Sequence, residues 1–298
     1  MSIGGAPKSD PFDLDSEVGF RRWREQKLAV APTQAEDLIV EIANLGAPTA
    51  AERAKAVQLC RQANMAVYAS ASTRPADKQA IRRFAAAFGL RRLDANVLAD
   101  DDGVTPIHAA EGGTRARYVP YTERAISWHT DGYYNAPDRQ VRGMVLHCTR
   151  PAAVGGESAL MDPEIAYILL RDRDPRLVAA LMRPDAMTIP ANDEEGLTRP
   201  ERSGPVFSLD ARGALHMRYT ARARNVVWLD DPEVRRAVAA LEALLAGDSP
   251  YIIRHRLTAG QGLLCNNVLH NRSAFSDAAG GAKRLLYRAR FFERVAGT

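Results

Sequence analysis

The chain has 298 residues, of which 46% are hydrophobic and 26% charged, as in a globular protein with a sizeable core. Its net charge of +4 comes from 40 basic and 36 acidic residues that are well mixed, which does not indicate nucleic-acid binding but is compatible with small anionic ligands. No apolar run approaches the roughly 18 residues needed to span a bilayer, so no membrane partner is expected.

Residues 1–102 are predicted to be mainly helical. The segments 33–46 and 49–64 each open with Thr and Glu at capping-box spacing, and 76–89 shows a third amphipathic pattern. Between the last two, MAVYAS at 65–70 is typical of a strand.

Residues 103–298 show a different hydrophobic pattern. Short apolar or alternating segments, bounded by Gly, Pro or Thr, are typical of strands. Helical insertions are predicted at about 162–183 and 231–246, where Asp-Pro-Glu offers a capping Asp and a Pro at the first helical position. The expected fold is α+β or mainly β, with a double-stranded β-helix (jelly-roll) core and a helical N-terminal part. One catalytic domain over 1–298 is expected.

The stretch ISWHTDGYYN places His129 and Asp131 two positions apart. With 6 His and 36 acidic residues in the chain, one such pair is about an even bet from composition alone. In an extended segment residues i and i+2 point to the same side, so both side chains could reach one metal ion. The tripeptide therefore needs a distant third ligand before it indicates a site.

His270, at the end of an apolar strand-like run, is the candidate third ligand, and thirteen residues separate it from Arg284. Two imidazoles and one carboxylate followed by an Arg is the layout of a non-haem Fe(II) facial triad, which leaves coordination positions open. Arg284 is expected on the last strand of the barrel, where a guanidinium can bind a dicarboxylate in a bidentate manner.

Four ordered motifs, WHTDGYY, PAAVGGESALMD, LTAGQGLLCNNVLHNRSAF and KRLLYRARF, together resemble the taurine dioxygenase and clavaminate synthase-like group of Fe(II)/2-oxoglutarate oxygenases. The resemblance covers about residues 115–294. It implies a jelly-roll core and O2 chemistry coupled to decarboxylation of 2-oxoglutarate, with hydroxylation of a C–H bond and release of succinate and CO2. Desaturation or ring closure stays open as an alternative to hydroxylation.

The resemblance also implies roles for individual residues. His129, Asp131 and His270 would be the Fe(II) ligands, and Arg284 would bind the distal carboxylate of 2-oxoglutarate. The remaining candidates are a second cosubstrate contact, Ser158, and three substrate-binding residues, Arg288, Tyr133 and Tyr134.

Several alternatives remain open. Arg288 and Arg290 are rival anchors, since strand alternation puts them on the same face as Arg284. Ser158 could be an ordinary turn residue, and the tyrosines could be barrel packing. A second basic cluster, at Arg218, Arg222 and Arg224, is interpreted as a solvated face rather than a substrate clamp.

Two other functions would use the same three ligands. A Zn(II) hydrolase would activate a metal-bound water but would leave Arg284 without a role. A non-catalytic metal-binding jelly-roll module is the third interpretation. The carboxylate of Asp131 argues against a halogenase, which has a small residue at that position.

The expected partner is a small anionic or amino-acid-like molecule, and relatives of this kind often form dimers or tetramers, so a homo-oligomer is open to this chain. Three dispersed cysteines without a Cys-x-x-Cys pair, and a start without signal-peptide features, indicate a reduced, cytoplasmic protein.

Overall fold

The computed structural model of the protein describes residues 10–71, 75–94, 102–192 and 198–298. The first nine residues, on which the expected absence of a signal peptide largely rests, lie outside these ranges. In the described part, no helix combines the length and the apolar character needed to cross a bilayer.

The described residues contain six α-helices: α1 Glu17–Ala29, α2 Ala50–Ala63, α3 Lys78–Ala87, α4 Pro163–Arg173, α5 Pro175–Leu181 and α6 Pro232–Ala246. The strands of the same residues are β1 Ile39–Ile42, β2 Met65–Ser70, β3 Val104–Ile107, β4 Ile126–His129, β5 Gly143–Arg150, β6 Val154–Gly155, β7 Ser158–Met161, β8 Met187–Ile189, β9 Arg202–Gly204, β10 Phe207–Leu209, β11 Leu215–Met217, β12 Val227–Trp228, β13 Ile253–His255, β14 Gln261–Cys265, β15 Leu269–Arg272, β16 Phe275–Ser276 and β17 Leu285–Phe291.

Two sheets form the jelly-roll core. The larger has the order β1-β2-β14-β5-β17-β3 and is antiparallel except for the β1-β2 pair, and the smaller is β13-β7-β15-β4. Alternate residues of β14 pack into two different hydrophobic clusters. Leu263 and Cys265 pack toward the smaller sheet, whereas Leu264 packs against α2 and α3. Burial on both faces explains why these strands read as continuous apolar runs.

The N-terminal part differs from its prediction in one element. Segment 33–46 was expected to be helical, but it contains a short 3-10 turn at Glu36–Leu38 followed by β1. The β-branched residues Ile39, Val40 and Ile42 pair in parallel with β2, and this tertiary pairing overrides the weak helical pattern. The part described as mainly helical therefore also contributes two strands to the larger sheet.

The other predicted helices are confirmed within a residue or two at each end. The Thr49 hydroxyl accepts from the backbone N–H of Glu52, and the Glu52 carboxylate accepts from the N–H of Thr49, which completes the capping box of α2. The insertion at 162–183 is two helices rather than one, because Asp174 caps α5 and Pro175 cannot continue α4.

Gly262 provides a test of the packing between the larger sheet and α3. A Cβ at this position would lie 2.2 Å from the Tyr68 ring and 2.5 Å from the carbonyl oxygen of Leu146. Gly262→Ala is expected to destabilise the fold by about 3 kcal/mol, because a fixed carbonyl cannot yield as a side chain can. Urea unfolding followed by circular dichroism measures this. Gly112→Ala, with open space around its Cβ, is the matched control, and equal midpoints for both variants would contradict the packing described.

Candidate active site

The two candidate histidine ligands face each other across neighbouring antiparallel strands. His270 of β15 is in register with His129 of β4, and their ring centroids are 4.2 Å apart. Asp131 begins the turn after β4 rather than continuing the strand, yet its Oδ1 lies 3.9 Å from Nε2 of His129. One ligand atom from each residue lies within 4.8 Å of the others, and the described residues contain no other such group of three. The other four histidines take no part in it.

Both imidazoles are oriented by backbone carbonyls. Nδ1 of His129 lies 2.9 Å from the carbonyl oxygen of Ser127, and Nδ1 of His270 lies 2.9 Å from that of Val268. A carbonyl can only accept, so each Nδ1 carries the hydrogen and each Nε2 keeps a lone pair for a metal ion.

All three groups are in their metal-binding protonation states. Burial, with a contribution from neighbouring His270, lowers the pKa of His129 to about 3, and burial also lowers the pKa of His270. Burial acts to raise the pKa of Asp131, but Arg288 and Arg290 hold that carboxyl well below its ordinary value. Two neutral imidazoles and a carboxylate are the forms that coordinate divalent metals.

Asp131 also has a free coordinating atom. Its carboxylate is 5% exposed, and Oδ2 has no hydrogen-bond partner among the described residues. A buried carboxylate oxygen without a partner is costly in a protein that binds nothing there. The residues present therefore fit a bound metal ion.

Asn267 holds Asp131 in place and is a site residue that the sequence did not single out. It lies in the β14–β15 turn with φ +55, its side-chain oxygen accepts from the N–H of Asp131 at 2.8 Å, and its amide donates to the Asp131 carbonyl at 2.9 Å. Asn adopts this left-handed conformation more readily than most residues do, so an Asn between two strand-like runs indicates a turn at Asn267. Nothing in the sequence indicates that Asn267 binds the backbone of Asp131.

Arg284 and Ser158, predicted to act together, line one small cavity. Arg284 lies one residue before β17 rather than on it, and is 5% exposed. Gly156, with φ +74, lies beside the guanidinium, and a Cβ there would be in van der Waals contact with Nε at 3.5 Å. The two glycines of the GGES motif thus shape the wall of this cavity, since left-handed backbone is accessible to Gly without strain.

Arg284, just before β17, and the two arginines on β17 differ in their partners. Arg288 Nη1 lies 3.1 Å from Asp131 Oδ1, and Arg290 Nη2 lies 2.6 Å from the carboxylate of Asp94. Arg284 has no carboxylate at ion-pair distance in the described part of the chain, and its buried Nη1 has no acceptor there. Of the rival anchors, Arg284 is therefore the one whose charge is left for a ligand.

An aromatic contact orients Arg284. Its Cζ lies 4.8 Å from the centroid of Phe275, and the Cζ of Arg272 lies 4.7 Å from the same ring. Arg272 donates to backbone carbonyls, including that of Thr122 at 2.8 Å, so it is fixed in place. Two cations beside one ring favour an anion in the adjoining cavity.

Tyr133 and Tyr134 lie in the turn that starts at Asp131. Their rings form an edge-to-face pair with centroids 5.2 Å apart, and the Tyr134 hydroxyl accepts from Arg290 Nη1 at 2.9 Å. Both rings are partly exposed, although both also pack against the helical core.

The interpretation of Arg218 as part of a solvated face is wrong. Arg218 is buried and donates to backbone carbonyls, including those of Tyr133 at 2.7 Å and Met187 at 2.9 Å. These bonds tie the turn beside the metal ligands to β8. No sequence pattern shows which backbone carbonyls will accept from an arginine. The burial of Arg218 therefore could not be predicted from the sequence.

Known proteins resemble the chain over most of its length. The family model of the taurine catabolism dioxygenase TauD, TfdA family matches residues 43–290, which is more than half of the chain. A uridine-5'-phosphate dioxygenase of Amycolatopsis sp is 33% identical over 56% of this chain and 60% of its own. A uridine-5'-phosphate dioxygenase of Streptomyces sp is 30% identical over 60% of this chain and 66% of its own. The chain thus spans less than two thirds of the length of these curated relatives.

Solved structures share the fold at low sequence identity. Asparagine oxygenase in complex with Fe(II), 2S,3S-3-hydroxyasparagine and succinate superimposes with a TM-score of 0.62 at 16% identity, covering 95% of this chain and 89% of that one. The non-heme iron oxygenase OrfP in complex with Fe and alpha-ketoglutaric acid gives 0.59 at 16% identity, covering 93% and 92%. The family match includes the smaller sheet and the turn after β4, which carry the three candidate ligands, and the chain belongs to the taurine catabolism dioxygenase TauD, TfdA family.

Proposed function

We propose that the protein is an Fe(II)- and 2-oxoglutarate-dependent dioxygenase whose iron ligands are His129, Asp131 and His270. The observation that carries this is the convergence of their ligand atoms within 4.8 Å around a carboxylate oxygen that has no partner in the described part. Two imidazoles and one carboxylate suit Fe(II) and leave positions for 2-oxoglutarate and O2. When bound, iron would supply the activation of O2 that is coupled to decarboxylation of 2-oxoglutarate to succinate and CO2.

The protein residues then bind, orient and exclude water. Arg284 would hold the distal carboxylate of 2-oxoglutarate, with the Ser158 hydroxyl as a second contact in the same cavity. Burial of the anchor supports this role, because a charge-assisted hydrogen bond is strongest where water is excluded.

The substrate is expected to be a small anion whose C–H bond is hydroxylated. Arg288 supplies a cation beside Asp131, where it keeps that carboxyl charged and could also orient an anionic substrate, and Tyr133 and Tyr134 flank the ligands. The curated relatives are named for uridine-5'-phosphate, which makes this nucleotide the first candidate. The hydroxylated amino acid in the asparagine oxygenase structure suggests an amino acid as the second.

Succinate release tests the function. Protein supplied with Fe(II), 2-oxoglutarate and O2 is expected to release succinate faster with uridine 5'-phosphate than with uridine or asparagine. Replacing Fe(II) by Zn(II) should stop the release, whereas a zinc hydrolase would release no succinate from 2-oxoglutarate with either metal. Absence of succinate with every substrate tested, together with no uncoupled release, would contradict the proposal.

We also propose that residues 1–298 form a single catalytic domain that acts in the cytoplasm. No nucleic-acid or membrane partner is expected, and homo-oligomerisation is open to the chain. Three buried cysteines that form no disulfide support a reducing compartment.

A further inference from the structure

One aromatic ring near the candidate iron ligands has two guanidinium groups beside it. The Cζ of Arg199 lies 5.6 Å from the centroid of Tyr134, and the Cζ of Arg290 lies 5.9 Å from the same centroid. Both distances are within the range of a cation–π contact. Both guanidinium groups therefore lie close to Tyr134, three positions after Asp131.

The two cations differ in what neutralises them. Arg290 is buried, pairs with the Asp94 carboxylate at 2.6 Å and donates to the Tyr134 hydroxyl at 2.9 Å. Arg199 is half-buried and has no carboxylate at ion-pair distance among the described residues. Its Nη2 donates to the carbonyl oxygen of Pro190 at 2.9 Å, whereas its buried Nη1 has no acceptor in the described ranges.

Among the described residues, no carboxylate therefore compensates the partial burial of the Arg199 guanidinium. Burial lowers its pKa, but the neighbouring Tyr133 and Tyr134 act in the opposite direction, and an arginine remains charged at neutral pH. A buried donor without an acceptor is unfavourable, and a bound oxyanion would satisfy both the charge and the donor.

The position of Arg199 connects it to the proposed active site. Arg288 and Arg290 lie on the inward face of β17, where Arg288 contacts Asp131 and Arg290 contacts Tyr134. Arg290 is also close enough to Asp131 to lower the pKa of its carboxyl. A continuous row of side chains therefore runs from Asp131 through these arginines and Tyr134 to Arg199.

We infer that Arg199 and Tyr134 form a subsite for a phosphate group of the substrate, so that the substrate class is a phosphate monoester. This inference rests on the proposed function and deepens it. A phosphate monoester carries a charge of about −1.5 to −2 near neutral pH and has three acceptor oxygens, so it offers the Arg199 guanidinium more charge and more acceptors than a carboxylate does. Arg290 is already paired with Asp94 and supports the subsite only through its bond to the Tyr134 hydroxyl. Arg199 lies beside Tyr134, and its Nη1, which has no acceptor among the described residues, can donate to a phosphate oxygen.

Calorimetric titration of the iron-free protein at low ionic strength tests the subsite, with inorganic phosphate, uridine 5'-phosphate and uridine as probes. Inorganic phosphate and the nucleotide are expected to bind saturably, and uridine more weakly than the nucleotide. Arg199→Gln should weaken both phosphate-containing probes by about tenfold or more and leave uridine unchanged, since charge-assisted hydrogen bonds are lost. Arg199→Lys should recover part of the affinity, and Tyr134→Leu should lose part of it.

Arg212→Gln, which removes an exposed arginine in the β10–β11 turn, is the matched control and should bind like the wild type. Saturating 2-oxoglutarate should not displace phosphate, because the lining of the Arg284 cavity includes neither Arg199 nor Tyr134. The inference is overturned if the wild type binds no phosphate, if Arg199→Gln binds it equally well, or if 2-oxoglutarate displaces it. The titration needs neither iron nor O2, so a failure of turnover would be distinguishable from a failure of the subsite.

Discussion

Asp131→Ala is expected to abolish iron-dependent turnover of 2-oxoglutarate while the protein stays folded. Loss of a group that merely supports a ligand commonly costs about 10- to 100-fold in metal affinity or activity, so loss of a ligand itself should exceed about 100-fold. The fold should persist because Asn267 binds the backbone N–H and C=O of Asp131 rather than its carboxylate. The measurements are succinate release, Fe(II) binding and the far-ultraviolet circular dichroism spectrum.

Asp138→Ala is the matched control for this change. Asp138 is exposed and lies seven positions further along the chain, so its loss should leave iron binding and turnover as in the wild type. If Asp131→Ala retained turnover, the carboxylate would not be an iron ligand. If it unfolded, Asp131→Asn, which keeps the volume of the side chain, would provide the same comparison.

Arg284→Ala is expected to raise the KM for 2-oxoglutarate by about 10- to 100-fold, because two charge-assisted hydrogen bonds to a buried carboxylate are lost. The KM for the prime substrate should change little, because Arg284 lies in a cavity with Ser158 and away from Tyr134. Steady-state kinetics with each substrate varied in turn measures the two effects separately.

Arg288→Ala distinguishes the two arginines. Its contact with Asp131 predicts weaker iron binding and a higher KM for the prime substrate, with a smaller effect on the 2-oxoglutarate requirement. If Arg288→Ala instead produced the large rise in the KM for 2-oxoglutarate and Arg284→Ala did not, the anchor would be Arg288.

The convergence of the three candidate ligands was predictable because each of them lies in a recognisable local sequence pattern. His129 and Asp131 lie two apart beside a strand, and His270 ends an apolar run, so spacing and periodicity alone suggested convergence. The inward face of β17 was predictable for the same reason, since alternation fixes the side of each residue.

The parts that escaped prediction depend on contacts between distant segments. β1 looked helical because its pairing with β2 is not visible in its own sequence. Arg218 looked solvated because the carbonyls that bury it belong to other loops. The contact of Arg199 with Tyr134, and its lack of a carboxylate partner among the described residues, likewise depend on segments distant in sequence.

Anaerobic addition of Fe(II) and 2-oxoglutarate to the metal-free protein tests the central claim most directly. The wild type is expected to develop the weak visible charge-transfer band of the iron–2-oxoglutarate chelate, and Asp131→Ala is not. No band in the folded wild type at saturating Fe(II) and 2-oxoglutarate, or a band of equal strength in Asp131→Ala, would contradict the assignment of His129, Asp131 and His270 as the site of an Fe(II)/2-oxoglutarate dioxygenase.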